Sequence, residues 1–260
     1  MTIFKPLSAD DRVSTKTLLH EAIPITGTIV SGTYADGNIQ NFTHGMFQSV
    51  YDYPFLSSSA NHIFDITFGT SATSGLAVTN QIAKKDNVYN QMAQVLMGYD
   101  QNGVIQKFDE DGDLTTTGDK LNDVSFLSFS RLLSKDEIKK GSFELELGVS
   151  ASYSDSTHTA SLGGITYWKA GLIYYQAGVA VITSSVFMDN SEGGYLLKGN
   201  ALWDAANSFT GSLIGEQISG SADGLRNRMY NLQFNNTIEL NSTVYFCRAK
   251  HNEFNYSANP

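Results

Sequence analysis

An acidic cluster is the strongest metal-binding candidate in the sequence. Asp109-Glu-Asp-Gly-Asp113 places four carboxylates in five residues. Calcium prefers oxygen ligands, so Asp109, Asp111 and Asp113 are candidate calcium ligands. The cluster departs from the EF-hand pattern, because its glycine is fourth rather than sixth and the twelfth position holds Lys120 rather than glutamate. A solvated acidic turn is the simpler interpretation, and we predict no metal or other cofactor.

Residues of a possible hydrolase occur in one region of the chain. They are the serines 57–59 with His44 or His62 and Asp52 or Asp65. A catalytic triad is defined by geometry, which spacing does not reveal. No Gly-x-Ser-x-Gly turn surrounds the serines, no pair of carboxylates is marked as a glycosidase pair, and no phosphate-binding glycine loop is present. We therefore predict that the chain is not an enzyme.

Aromatic residues form two groups that could bind a sugar or a protein. The groups are Tyr51, Tyr53 and Phe55 around Pro54, and Trp168, Tyr174 and Tyr175. Exposed rings beside Asp or Asn would indicate a glycan site. Aromatic side chains are also enriched in cores and subunit interfaces, and we favour that interpretation.

The cysteine content excludes two further classes of protein. Cys247 is the single cysteine, so an intrachain disulfide framework is impossible, and the five histidines are too scattered to form a zinc site. Cys247 lies in a strand-like run, residues 243–248. We expect it to be a buried, unreactive side chain.

Composition indicates a subunit of an assembly. The 260 residues carry a net charge of −9, and only 17% are charged, against about a quarter in an average protein. An acidic surface repels phosphates, so we predict no direct nucleic-acid contact. A polar surface with few charges loses little hydration energy when a neighbour covers it. This favours a homo-oligomer within a symmetric assembly.

The pattern of apolar residues predicts a mainly β fold, a β-dominated α+β arrangement with antiparallel sheets or a sandwich. Helical periodicity is sustained only near residues 80–98, with Val88, Met92 and Val95 on one face. A capping box, Ser134-Lys-Asp-Glu137, predicts a second, short helix. Residues 143–147 alternate between apolar and acidic, which is typical of a half-buried strand. Residues 237–248 form the last predicted strand.

Residues 170–188 contain no charged side chain and are long enough to span a bilayer. Their β-branched residues flank Gln176-Ala-Gly178, which instead predicts a buried hairpin. We predict no membrane insertion.

Domain organisation is predicted as an N-terminal arm, residues 1–22, and a single β-rich domain, residues 23–260, with a possible subdivision near 150–165. The arm precedes the first strong strand signal, and residues 14–22 have the pattern of one or two helical turns. We expect the arm to contact another chain more than its own domain. Residues 25–41 are predicted to form a hairpin around Asp36-Gly37.

Several segments resemble a family of virion structural proteins of tailed phages, chiefly contractile-tailed phages of cyanobacteria and other marine bacteria. The segments are residues 16–27, residues 42–65 (Phe-Thr-His-Gly-Met-Phe-Gln-Ser-Val-Tyr-Asp-Tyr-Pro-Phe-Leu at their start), residues 174–181, residues 234–248 and residues 251–257. Similar proteins continue beyond the position of Pro260 into further β structure, so the resemblance implies either a shortened member or an incomplete chain.

The resemblance implies a structural role without catalytic residues. We expect a virion subunit of the tail, baseplate or neck that is assembled in the host cytoplasm and binds other virion structural proteins. A host-receptor or glycan-binding module on the virion, or a capsid surface or decoration protein, is the alternative.

Overall fold

A computed structural model describes seven stretches of the chain, residues 7–25, 36–74, 81–110, 120–147, 170–187, 217–226 and 229–247. The strands are β1 (Arg12–Pro24), β2 (Ile39–Asn41), β3 (Gln48–Tyr51), β4 (His62–Thr70), β5 (Asp123–Phe129), β6 (Glu137–Ile138), β7 (Glu144–Leu147), β8 (Gly171–Tyr174), β9 (Val179–Thr183) and β10 (Met229–Tyr245). The α-helices are α1 (Ile82–Leu96), α2 (Arg131–Ser134) and α3 (Ile218–Arg226).

The strands form two antiparallel sheets. One sheet has the order β2-β3-β4-β5-β9-β8, and the other has the order β1-β10-β6 with β7 also paired to β10. The predicted mainly β fold with antiparallel sheets is therefore confirmed. The predicted helix near residues 80–98 is also confirmed, since α1 is the longest helix in the described stretches.

The six-stranded sheet supplies half of the buried apolar side chains in the described stretches. Strand β9 is buried along its whole length between β5 and β8. Gly178, at a φ of 67°, ends the turn between β8 and β9, so the predicted hairpin in residues 170–188 is confirmed for residues 171–183. No helix in the described stretches is long and apolar enough to cross a membrane.

Helix α1 packs against β4 at a very close approach. A Cβ atom on Gly69 would lie 2.9 Å from the backbone nitrogen of Tyr89, so only glycine fits there. The buried face of α1 includes Lys85, Val88, Tyr89 and Ala93. Val95, which we predicted on this face, is 80% exposed, because the buried stripe passes through Ala93 instead.

The two sheets share one core. The rings of Phe129 on β5 and Phe234 on β10 lie 5.0 Å apart between centroids, and Phe143 packs on Phe129 at 5.9 Å. Leu145 and Leu147 on β7 also pack against this core while Glu144 and Glu146 point outward. The alternating pattern of residues 143–147 is therefore confirmed.

The N-terminal segment is a strand rather than a helix. Residues 12–24 pair with residues 233–245 of β10 in one regular antiparallel register. The predicted helical turns in residues 14–22 are wrong, because the β-prone run Val13-Ser-Thr-Lys-Thr17 finds a partner more than 200 residues further along the chain. Although the segment precedes the first strong strand signal, residues 12–24 are therefore held by a strand of their own chain.

The predicted capping-box helix is also wrong. Helix α2 ends at Ser134, where that helix was expected to begin. Glu137 and Ile138 instead pair with β10. Ile138 is completely buried, and burying its side chain outweighs a short helix that would gain only a few local hydrogen bonds.

The predicted hairpin in residues 25–41 lies partly outside the described residues. Within them, Asp36–Asn38 forms a 3₁₀ turn, and β2 pairs with β3. The final predicted strand is confirmed and begins earlier than expected, at Met229.

The partly buried carboxylate of Asp123 gives a measurable pH dependence. Burial raises the pKa of Asp123 from 3.8 to about 6, although hydrogen bonds of 2.8 Å from Ser74 Oγ to both oxygens and the charge of Lys85 oppose this shift. The folded state therefore binds this proton more tightly than the unfolded state, and its contribution to stability is lost as pH rises from about 4 to about 6.

We expect Asp123→Asn to remove this component. Between pH 4 and pH 7, the free energy of unfolding of the wild type should fall by about 2–3 kcal/mol relative to that of the variant. Urea unfolding at several pH values measures this difference. The comparison uses only the change in the free energy of unfolding between the two pH values. Any pH-independent effect of the substitution through Lys85 therefore cancels. Parallel profiles for the two proteins would contradict the raised pKa.

Candidate functional site

The structure places Asp109 in an ion pair rather than in an open metal site. Its side chain is 1% exposed and is bound by the ammonium group of Lys120. Asp111 and Asp113 lie outside the described residues. Within the described stretches, no group of three or more His, Cys, Asp or Glu side chains is arranged to hold a metal.

The serines of the possible hydrolase do not meet a histidine. Ser57 Oγ accepts a hydrogen bond from the backbone of Ser59 in a local turn. Asp52 accepts hydrogen bonds from Asn61 at 2.6 and 2.9 Å. His44 belongs to a separate ring cluster with Phe42 and Phe47, so the seven candidates do not form one site.

Another serine, Ser49, binds the carboxylate of a His–Asp pair but does not contact the histidine. Asp65 accepts hydrogen bonds from His62 Nε2 at 2.8 Å and from Ser49 Oγ at 2.5 Å. The hydrogen bond to Asp65 raises the pKa of His62, an effect that burial opposes. A nucleophilic serine needs the imidazole beside its oxygen. Here the carboxylate lies between the two, so Ser49 is not activated.

The aromatic groups are divided between the core and the surface. Tyr174 and Tyr175 pack against the core, as we expected, and Tyr51 donates a 2.8 Å hydrogen bond to Gln40. Tyr53 is 38% exposed. Trp168 lies outside the described residues.

A protruding two-stranded ribbon is the most unusual surface of the protein. In the described stretches, β6 and β7 pair with β10 only between Met229 and Thr237. Beyond that point, the described residues that pair with residues 238–245 of β10 are residues 12–19 of β1. We call these sixteen residues the ribbon.

Strand alternation gives the ribbon two different faces. Side chains of paired residues lie on the same face of an antiparallel sheet, and successive residues lie on opposite faces. One face, which we call the apolar face, carries no charge; it consists of Val13, Thr15, Thr17, Leu19, Ile238, Leu240, Ser242 and Val244. The opposite, polar face consists of Arg12, Ser14, Lys16, Leu18, Glu239, Asn241, Thr243 and Tyr245.

The polar face holds the ribbon together. Lys16 Nζ lies 2.5 Å from a carboxylate oxygen of Glu239, and the Oγ atoms of Ser14 and Thr243 lie 3.0 Å apart. The ammonium of Lys16 and a hydrogen bond from Asn241 lower the pKa of Glu239. These contacts cross the two strands and involve side chains of the polar face alone.

The apolar face continues the core-facing surface of the same sheet. Ile23 and Phe234 pair further along the same register, on the same side, and both pack in the core. Toward the outer end of the ribbon that surface loses its cover. Val13, Leu19, Leu240 and Val244 are between 47% and 50% exposed.

Cys247 lies at the outer end of the ribbon. The backbone nitrogen of Phe246 donates to Asp11 O at 2.8 Å, which extends the register by one pair, and Cys247 follows. Cys247 is exposed, so our prediction of a buried cysteine is wrong. The strand-like sequence was recognised correctly, but this end of β10 lies outside the core.

No family model, curated protein or solved structure matches this chain.

Proposed function

We propose that this chain is a structural subunit of a tailed-phage virion, preferably of the tail, baseplate or neck, and that it contacts the neighbouring copy through the ribbon. The observation that carries the proposal is the uncovered apolar face. The sequence resemblance to virion structural proteins supports the same role, since such subunits function through contacts with their neighbours.

Charge favours a second copy as the occupant of this face. Copies of a chain with a net charge of −9 repel one another over most of their surfaces. The apolar face has no charged residue, so two copies can bring these faces together without placing like charges in contact. A two-fold axis between two such ribbons would make the contact self-complementary.

The size of the ribbon sets the strength of the contact. Eight residues of strand span about 27 Å, and a face two strands wide covers on the order of 300 Å². Stable complexes bury roughly 800 Å² per partner. Two free copies should therefore associate only weakly, and stable contact requires the many simultaneous interactions of a particle.

Weak pairing of free copies can be detected through Cys247. A nitroxide attached to this single cysteine broadens NMR signals of a second, ¹⁵N-labelled copy when the two ribbons meet. We expect broadening at a protein concentration of about 1 mM, which is the range of effective concentration in an assembly. The broadened signals should be those of the ribbon and its immediate surroundings. A diamagnetic label on Cys247 is the control.

Two outcomes would count against the proposal. Broadening that maps to another surface would show that copies meet elsewhere, and no broadening at about millimolar concentration would remove the second copy as the occupant. The virion role itself is tested by cryo-EM of the phage particle whose genome encodes this chain, where we expect density for the ribbon against an adjacent copy.

A further inference from the structure

A pocket of about 350 Å³ opens where the β2–β3 loop meets helices α1 and α3. Its lining includes Asn41, Phe42, His44, Phe47, Lys84 and Asp223. None of these residues belongs to β1 or β10, so the pocket is separate from the ribbon. Small-molecule sites have volumes of about 300–1,000 Å³, which places this pocket at the size of a ligand with one or two rings.

Three rings make one wall of the pocket. Phe42 and His44 are stacked with an interplanar angle of 6° and centroids 5.2 Å apart, and Phe47 lies 4.8 and 5.0 Å from them. Gly45, at a φ of 62°, turns the loop so that its nitrogen bonds to Phe42 O at 2.9 Å. The three packed rings therefore line one side of a pocket whose other groups are mostly polar.

A buried amide fixes two polar side chains at the pocket. Gln48, which is 1% exposed, donates through Nε2 to Asn41 Oδ1 at 2.7 Å and to Asp223 Oδ1 at 2.9 Å. Arg226 also binds Asp223 Oδ1, at 2.9 Å. Asn41 Nδ2 and Asp223 Oδ2 have no partner in the described part of the chain. One nitrogen of Gln48 therefore holds a side chain with a remaining donor and a side chain with a remaining acceptor at the same pocket.

A cation adds further donors to the site. Lys84 Nζ donates to the backbone oxygen of His44 at 3.0 Å. An ammonium group has three N–H donors, so two remain for a ligand. The ion pair with Arg226 compensates Asp223, so the carboxylate can accept hydrogen bonds without remaining an unpaired charge.

We propose that this pocket binds one pyranose unit of a glycan. Adjacent hydroxyls of a sugar each donate and accept, which matches the neighbouring acceptor Asp223 Oδ2 and donor Asn41 Nδ2. The C–H face of a pyranose ring is apolar and slightly positive, and it packs on the negative face of an aromatic ring such as Phe42. Lys84 donates to a further hydroxyl. The site is independent of the proposed contact between copies.

The test measures binding of defined sugars to the full chain. The probes are methyl pyranosides of glucose, galactose, mannose and N-acetylglucosamine, studied by saturation-transfer NMR, with glycerol as a polyol that has no ring. We expect at least one pyranoside to bind with a dissociation constant of about 1 mM, and glycerol not to bind. If no pyranoside binds at ten times that concentration, the proposal is wrong.

Two substitutions test the residues. Asp223→Asn keeps the shape and the Oδ1 contacts but replaces the acceptor Oδ2 with a donor, and Phe42→Leu keeps apolar volume but removes the ring. Each should weaken binding by about tenfold. Tyr99→Leu, which alters a 52% exposed ring outside the pocket, is the matched control.

The pair of substitutions keeps the test decisive. If Asp223→Asn fails to fold because Arg226 loses its counter-charge, Phe42→Leu still tests the aromatic wall. Unchanged affinity in a folded Phe42→Leu protein would overturn the proposal. Variants of the apolar face should bind the sugar as the wild type does, so failure of this site and failure of the proposed function are distinguishable.

Discussion

Replacing Val181 with aspartate is expected to unfold the protein or to drive it into aggregates. Val181 is 1% exposed on β9, paired with Phe126 on β5 and with Leu172 on β8. The site is formed around a valine, so it provides no positive group to pair with a carboxylate. Burying an unpaired carboxylate costs several kcal/mol. That cost is comparable with the total stability of about 5–15 kcal/mol that a native protein has. Soluble yield and melting temperature measure the effect.

A matched control separates burial from the substitution itself. Val95 on α1 is 80% exposed, so Val95→Asp introduces the same change of side chain into solvent. Its expected cost is about 1 kcal/mol or less, from helix propensity and from a negative charge near the helix C-terminus. A soluble Val181→Asp protein with an unchanged melting temperature would show that β9 is not part of the core.

The contrast between these two valines shows what sequence patterns predicted well. A run of β-branched residues around Gly178 predicted the hairpin because both strands are local and apolar. Helical periodicity predicted α1 for the same reason. The buried face of α1 was harder to predict, since it includes Lys85, a charged residue that is completely buried with its ammonium 5.5 Å from the ring of Phe68. A pattern of apolar residues does not predict that a lysine is buried.

Non-local pairing was the main structural feature that the sequence did not reveal. The partner of residues 12–24, β10, is more than 200 residues distant in the chain. The prediction of helical turns in residues 14–22 considered only the local pattern and therefore missed this pairing. The same limitation applies to Glu137 and Ile138, whose capping-box pattern was overridden by pairing with β10.

Neither the apolar face nor the pocket was predicted from the sequence, for related reasons. The apolar face combines odd positions of β1 with even positions of β10, and the sequence gives no sign that these two distant segments pair. The pocket brings together the β2–β3 loop, α1 and α3. The aromatic groups that we singled out from the sequence did not include Phe42 and Phe47. The usable signal was the aromatic-rich sequence Phe42-Thr-His-Gly-Met-Phe47 next to Asn41.

Substitutions on the apolar face should weaken contact between copies without unfolding the chain. Leu19→Thr with Leu240→Thr retains β-prone side chains but removes two large apolar groups that are 47% and 49% exposed. Completing the burial of a half-exposed leucine contributes about 1 kcal/mol, so the double variant loses about 2 kcal/mol, or about 30-fold in affinity. The loss is larger when both copies of a two-fold pair carry it.

Leu18→Thr is the matched control for this effect. Leu18 is 50% exposed, next to Leu19 in the sequence, but it lies on the polar face. The measurements are the broadening caused by a spin label on Cys247 and the number of copies incorporated into particles. We expect the double variant to lose both, while Leu18→Thr retains both. Equal effects of the two variants would mean that general hydrophobicity, and not one face of the ribbon, mediates the contact.

Hydrogen exchange separates a lost contact from a lost ribbon. A two-stranded ribbon is only marginally stable in water, so its amides should exchange faster in the free protein than those of β10 beside β6 and β7. In the particle, the neighbouring copy covers the apolar face, and protection should extend to residues 12–19 and 238–245. If these amides are already fully protected in the free monomer, the ribbon is stable by itself, and its burial by a neighbour is not what orders it.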